Sequence, residues 1–203
     1  MKCLVCEKWS FSLICKECLA HIPLTPRYRI LQDSIKVYSF YRYEDVTFLM
    51  QSKYHLVGSR ILCLLAKRAA EYFFTHFSSY GFTNSSFPIA LVGLDDYPYG
   101  AYSHVGVIAK VFSKESKGIF KAHFGVLKAQ NQVKYAGKNL AFRQDNPKGF
   151  MYKPSFAQNV DIQSRGCVLL DDIITTGTSL NEAISALKGF KIHFCLALCD
   201  AKD

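Results

Sequence analysis

Val168-Leu169-Leu170-Asp171-Asp172-Ile173-Ile174-Thr175-Thr176-Gly177-Thr178-Ser179-Leu180 is the segment on which the fold turns. It opens inside Gly166–Leu170 (GCVLL), a short continuous apolar run of the kind that forms a strand buried on both faces. Two adjacent carboxylates, Asp171 and Asp172, then stand at the C-terminal edge of that strand, where open α/β sheets bind ligands. A tight loop of hydroxyl residues with one glycine follows, and a helix is expected over Ser179–Leu187. Backbone N–H groups of such a loop and of the helix start can converge on one phosphate, aided by the helix dipole. Gly177 permits close backbone approach, and Thr175, Thr176, Thr178 and Ser179 add hydroxyl donors. The carboxylates can accept hydrogen bonds from neighbouring sugar hydroxyls. A phosphate cradle beside diol acceptors describes a ribose 5-phosphate site. The alternative is a solvated loop whose last hydroxyl caps a helix.

Working outward, Pro88–Leu94 (PIALVGL) is a second buried-type strand and Lys191–Leu198 (KIHFCLAL) a last one. Ser34–Tyr43 alternates β-branched and aromatic residues and reads as a strand or hairpin. Helices are expected over 44–52, over 59–77 (Ile61, Leu62, Leu65, Ala69 and Phe73 at three-to-four spacing) and over Tyr102–Phe112. Gly118–Leu127 reads as strand, 78–86 as loop, and 128–150 has no clear period. Strands alternating with helices predict an α/β fold with a parallel sheet flanked by helices. Pro23 and Pro26 mark residues 23–33 as a linker between an N-terminal unit, 1–22, and the main domain, 34–203.

That N-terminal unit contains Cys3, Cys6, Cys15 and Cys18, two C-x-x-C pairs eight residues apart. Two residues between thiolates let one tight turn offer both sulfurs to a tetrahedral ion, and two such knuckles complete four-coordination. A structural zinc is the expectation; redox or unconnected cysteines are the alternative. A closed four-thiolate site has no open position and is assigned no catalysis. Cys63, Cys167, Cys195 and Cys199 lie among apolar residues and read as buried free thiols.

The chain has 203 residues, half of them hydrophobic, which is enough for one domain with a core and excludes wholesale disorder. No apolar run reaches the roughly 18–20 residues that span a bilayer, and the cysteine-rich, charged start is no signal peptide, so a cytoplasmic protein is expected. The formal charge is +9, and residues 101–160, with ten Lys/Arg against two acids, hold +8 of it. Phe112, Phe120, Phe124, Tyr135, Phe142, Phe150 and Tyr152 interleave with these cations. A cationic groove with stacking faces binds single strands without reading sequence; a solvated basic face over core aromatics is the alternative. No P-loop, G-x-S-x-G or spaced histidine pair occurs, and His104 reads as a surface histidine.

The 168–180 segment closely resembles the 5-phosphoribosyl-1-pyrophosphate (PRPP) motif of type I phosphoribosyltransferases. A four-cysteine knuckle ahead of such a domain resembles the ComF competence-protein family. Tyr38–Tyr43, Lys53-Tyr54 before a glycine, and Arg143-Gln-Asp-Asn146 with Gly149-Phe150 are similar to landmarks of that family. The resemblance implies that Asp171 and Asp172 hold the ribose hydroxyls, that Thr175, Thr176, Gly177, Thr178 and Ser179 grip the 5-phosphate, and that Mg²⁺ rides on the PRPP oxygens. It places pyrophosphate against Leu94–Tyr99. Where the family carries Arg-Gly-Phe-Asn, this chain has Gly100-Ala101-Tyr102-Ser103, and Asp95 and Asp96 add negative charge. The implied function is DNA uptake in natural transformation, with single-stranded DNA on Lys128, Lys134, Lys138 and Arg143. The same cations can instead belong to a flap closing over pyrophosphate. An active phosphoribosyltransferase with an unassigned acceptor is the alternative function. A third reading has the knuckle docking on membrane-bound uptake machinery, which would give a peripheral position at the inner membrane.

Overall fold

In a computed structural model, which describes residues 1–76, 88–98, 100–131, 133, 135, 137, 139–158 and 165–202, one mixed sheet organises the chain. Its strands are β1 (Arg27–Ile30), β2 (Lys36–Arg42), β3 (Ile89–Leu94), β4 (Phe120–Ala129), β5 (Phe150–Tyr152), β6 (Cys167–Ile174) and β7 (Ile192–Asp200). The order is β1-β2-β7-β6-β3-β4-β5. The five inner strands run parallel, and β1 and β5 pair antiparallel at the edges. The helices are α1 (Lys16–His21), α2 (Tyr43–Gln51), α3 (Gly58–His76), α4 (His104–Glu115), α5 (Leu140–Asp145), α6 (Pro154–Ala157) and α7 (Thr178–Ala186).

Strand alternation divides the interior into two cores. Val168 and Leu170 face a core shared with α2, α3 and α4, whereas Cys167 and Leu169 face one shared with α7. The knuckle belongs to the first of these, because Cys3, Leu13 and Ile14 are buried in it. Arg68 of α3 holds the knuckle's exit by donating to the Leu19 and Ile22 carbonyls at 2.5 and 3.0 Å.

Several expectations need correction. The strand through the aspartates does not stop at Leu170 but continues to Ile174, because β7 still pairs with it there (Ile173 with Cys199, Ile174 with Asp200). Within 23–33, Arg27–Ile30 forms an edge strand on β2. Cys63 is exposed rather than buried, since Ile61, Leu62, Leu65 and Ala66 already fill the core-facing side of α3. Phe112, Phe120, Tyr135 and Phe150 of the basic middle are buried and unavailable for stacking, whereas Phe124 is exposed. The loop expected over 78–86 lies outside the described residues.

Candidate functional site

The connections make one place in the sheet special. From β3 the chain passes through α4 to β4 on one side; from β6 it passes through α7 to β7 on the other. The two neighbouring strands β3 and β6 therefore send their C-terminal loops in opposite directions, which opens a crevice at a topological switch point. A cleft of about 450 Å³ lies there, lined by Leu94, Asp95, Tyr97, Lys148, Asp171 and Asp172, with Lys53, Tyr54, Tyr102 and His104 on the α3/α4 side. β3 pairs with β6 only as far as Gly93 with Leu170, so the two aspartates emerge just past the end of that pairing.

Asp172 meets Lys53, whose Nζ donates to Oδ2 at 2.6 Å; both side chains are largely buried. The 3₁₀ turn Ser52–Tyr54 delivers Lys53, and the Tyr102 hydroxyl clamps that turn by donating to the Lys53 carbonyl at 2.7 Å. Gly58 makes the clamp sterically feasible: a Cβ there would sit 2.1 Å from the Ser52 carbonyl oxygen and 2.6 Å from the Tyr102 hydroxyl. Gly58→Ala is expected to cost about 1–3 kcal/mol through overpacking and to displace Lys53. A lower urea midpoint together with a raised Asp172 pKa checks this.

Burial pushes the Asp172 carboxyl up, but the Lys53 ammonium, with His104 and Lys148 behind it, overrides burial and holds it below the usual carboxylate range. Asp171 lacks such a partner; burial first, then the Asp172 charge, push it up to about 6. Folded Asp171 thus binds more protons than the unfolded chain between about pH 4 and 6, and its contribution to stability falls as pH rises through that window. Hydroxyl donors on Asp171 favour the charged form. Binding of a diol ligand at pH 6 is therefore expected to release protons, whereas at pH 8 the release disappears. Binding heats measured in buffers of different ionisation enthalpy read this directly.

His104 is no surface histidine: it is half-buried, with its ring against Tyr54 (5.7 Å) and Tyr102 (5.2 Å). Burial pulls its pKa down, partly offset by Asp172. Asp96 does not face the cleft as free negative charge. It is buried, its Oδ1 accepts from the Gly125 N–H at 2.7 Å, and burial raises it to about 6. Asp95 lines the cleft and accepts from the Ala129 N–H at 3.2 Å. Tyr99, the last residue of the expected pyrophosphate loop, lies outside the described residues.

Beyond β6, Gly177 caps α7 in the left-handed region (φ 84°), with Leu31 packed where a side chain would go. The Thr176 and Thr178 hydroxyls are 2.8 Å apart. Arg143 reaches this loop from α5: its Nη1 donates to the Thr175 and Thr176 hydroxyls and its Nη2 to the Tyr135 carbonyl. Arg143 is buried, which places it at the hydroxyl loop and off any exposed basic face. Glu182 of α7 ties the same segment down, accepting from the Tyr135 hydroxyl (2.8 Å) and from the Lys148 and Gly149 N–H groups (2.7 and 3.2 Å). Lys128 is exposed, with its ammonium 4.9 Å from the Tyr97 ring centre; Lys134 and Lys138 lie outside the described residues.

In the knuckle, the sulfurs of Cys3, Cys6, Cys15 and Cys18 all lie within 4.8 Å of one another. The Cys6 and Cys15 sulfurs are 3.8 Å apart. A tetrahedral ion with Zn–S bonds of about 2.3 Å needs S···S separations of about 3.8 Å, and a disulfide needs about 2.05 Å. Cys3 Sγ accepts from the N–H groups of Val5 and Cys15 (3.4 and 3.3 Å), and backbone donors, that of Cys15 foremost, draw its pKa down to about 6. The donor set fits a structural zinc. Among the described residues this is the one cluster of three or more metal-ligating side chains, so the aspartate pair is not by itself a magnesium cage.

Sequence reading did not assign Lys53 or His104 to the site, or see that Glu182 anchors its flank. Lys53 had a signal in the Lys-Tyr pair ahead of a glycine and His104 in its place near the expected pyrophosphate loop; Glu182 had none. Among the described residues, no helix is long and apolar enough to cross a membrane. No family model matches the chain, and no curated protein matches it.

Proposed function

We propose that the chain is a ComF-like DNA-uptake factor that binds PRPP with Mg²⁺ at the switch-point cleft, handles single-stranded DNA in the cytoplasm, and carries zinc structurally. The observation that carries this reading is the position of Asp171 and Asp172 past the β3 pairing, followed by a hydroxyl loop with a left-handed glycine at the start of α7. That arrangement offers diol acceptors and an anion-facing helix start within one short segment. Mg²⁺ would ride on the diphosphate through water, as hard oxygen coordination allows, since Lys53 already occupies one Asp172 oxygen. Arg143, over the threonine hydroxyls, supplies fixed positive charge to the 5-phosphate position. For DNA, the support is the charge excess and the contact of exposed Lys128 with Tyr97 at the cleft wall.

Transfer of ribose 5-phosphate to an acceptor is the second reading. It has less support, because exposed Gly100 and Ala101 stand where a fixed cation would serve the leaving diphosphate.

Asp171→Asn/Asp172→Asn protein titrated with PRPP, and separately with a thymidine oligonucleotide, tests the proposal. Two charge-assisted hydrogen bonds at about 1.5–3 kcal/mol each predict a loss of PRPP affinity of about 100-fold or more, with DNA affinity little changed. The DNA affinity itself is expected to fall steeply with salt as counterions are released. Unchanged PRPP affinity in the double variant, or DNA binding indifferent to salt, contradicts the respective half.

A further inference from the structure

Away from the cleft, a groove of about 550 Å³ runs between the knuckle and the outer faces of α3 and α4. Leu13, Leu64, Val107 and Val111 form an apolar floor, and Phe11 stands fully exposed on the knuckle side. Trp9 of the same knuckle is also exposed. Apolar surface gathered in this way marks an interaction site. Three cations, Arg60, Lys110 and Lys114, edge the groove, and no acidic side chain lines it among the described residues. None of the three is paired with an acid there. Lys110 and Lys114 lie one helical turn apart, a spacing at which like charges repel and which an anionic partner would relieve.

We propose that this groove docks an acidic amphipathic segment of another protein, with a large apolar side chain seated against Phe11 and the α3/α4 floor and flanking carboxylates on Arg60, Lys110 and Lys114. Helix-in-groove recognition uses this combination of apolar anchors and charged flanks. A nucleic-acid strand fits less well, because base binding needs repeated flat aromatic faces and the floor of Leu13, Leu64, Val107 and Val111 is aliphatic. Since the knuckle supplies one wall, docking depends on the bound metal. The inference does not rest on the PRPP reading.

Cys63 lines the groove and is exposed, whereas the other seven cysteines are buried or in the knuckle, so it serves as a native reporter. Random 16-residue peptides selected against the zinc-loaded full chain are expected to enrich Asp/Glu beside Leu, Phe or Trp. The enriched peptides should slow maleimide modification of Cys63 at least tenfold. With Lys110→Glu/Lys114→Glu, both substitutions being at exposed positions, the selection should turn to Lys/Arg-rich sequences. Failure to enrich, enrichment indifferent to the charge reversal, or peptides that leave Cys63 fully reactive overturns the proposal. So does a thymidine oligonucleotide that protects Cys63 as well as the peptides do.

Discussion

Lys53→Met is expected to cost about 3–5 kcal/mol of stability at pH 7, because it leaves a largely buried carboxylate without its counter-ion. The ammonium–Asp172 contact is 2.6 Å, with the two side chains only 12% and 14% exposed, so solvent screens little of it. The cost should depend on pH in a defined direction. In the parent protein, Asp172 is held below its ordinary pKa and contributes stability above about pH 4 that is lost as pH falls through its folded value. Without Lys53, burial is opposed only by the smaller pull of His104 and Lys148, so Asp172 takes up a proton more readily and the destabilisation eases in acid. Urea unfolding of both proteins at pH 7.5 and pH 4.5 measures the difference. A gap that shrinks toward acid supports the ion pair; a gap under 1 kcal/mol, or one independent of pH, contradicts it.

Removal of the metal has the second large effect. Structural zinc contributes on the order of 10 kcal/mol to small cysteine units, and residues 1–22 contain only the six-residue α1 as regular structure beyond a Lys2–Trp9 bridge. Chelation, or Cys6→Ser/Cys15→Ser, is expected to remove one zinc per chain and to erase amide protection across 1–22. The damage should spread inward, because Leu13 and Ile14 are buried in the same core cluster as residues of α3 and α4. Exposing two such side chains costs about 1.5–3 kcal/mol each, which lowers the Tm by on the order of 10 °C in a chain of this size. Metal analysis, hydrogen exchange and a melting curve on the same preparation check it. Undiminished protection over 1–22 after complete chelation contradicts it.

The central strands were legible in the sequence because strands buried on both faces must be apolar throughout: PIALVGL and GCVLL became β3 and the first half of β6. α3 was legible from its apolar spacing, and the structured span differs by one residue at each end. The strand–turn–helix course of the aspartate–threonine segment was legible because it is local, an apolar strand followed by a hydroxyl turn with one glycine. β1 was not, since the alternation of Arg27-Tyr28-Arg29-Ile30 is only four residues long, follows two prolines and leaves Tyr28 and Ile30 exposed. Lys53 lies 119 residues from Asp172 in sequence, and only the tertiary fold brings them together. Arg143 illustrates the opposite failure. Counted as one cation among ten it looked like surface, but the fold buries it against Thr175 and Tyr135. The aromatics between the lysines were ambiguous for the same reason, because charge composition reports which residues are present and not which side they face.

The proposed site requires the 175–179 turn to receive a phosphate while the neighbouring aspartates receive a sugar. Amide NMR with ribose 5-phosphate as the probe addresses this most directly. The predicted result is saturable shifts at Asp171, Asp172 and Thr175–Ser179, weaker by at least tenfold with ribose or inorganic phosphate alone. Amides of Thr175–Ser179 that stay unmoved at saturating ribose 5-phosphate would contradict it.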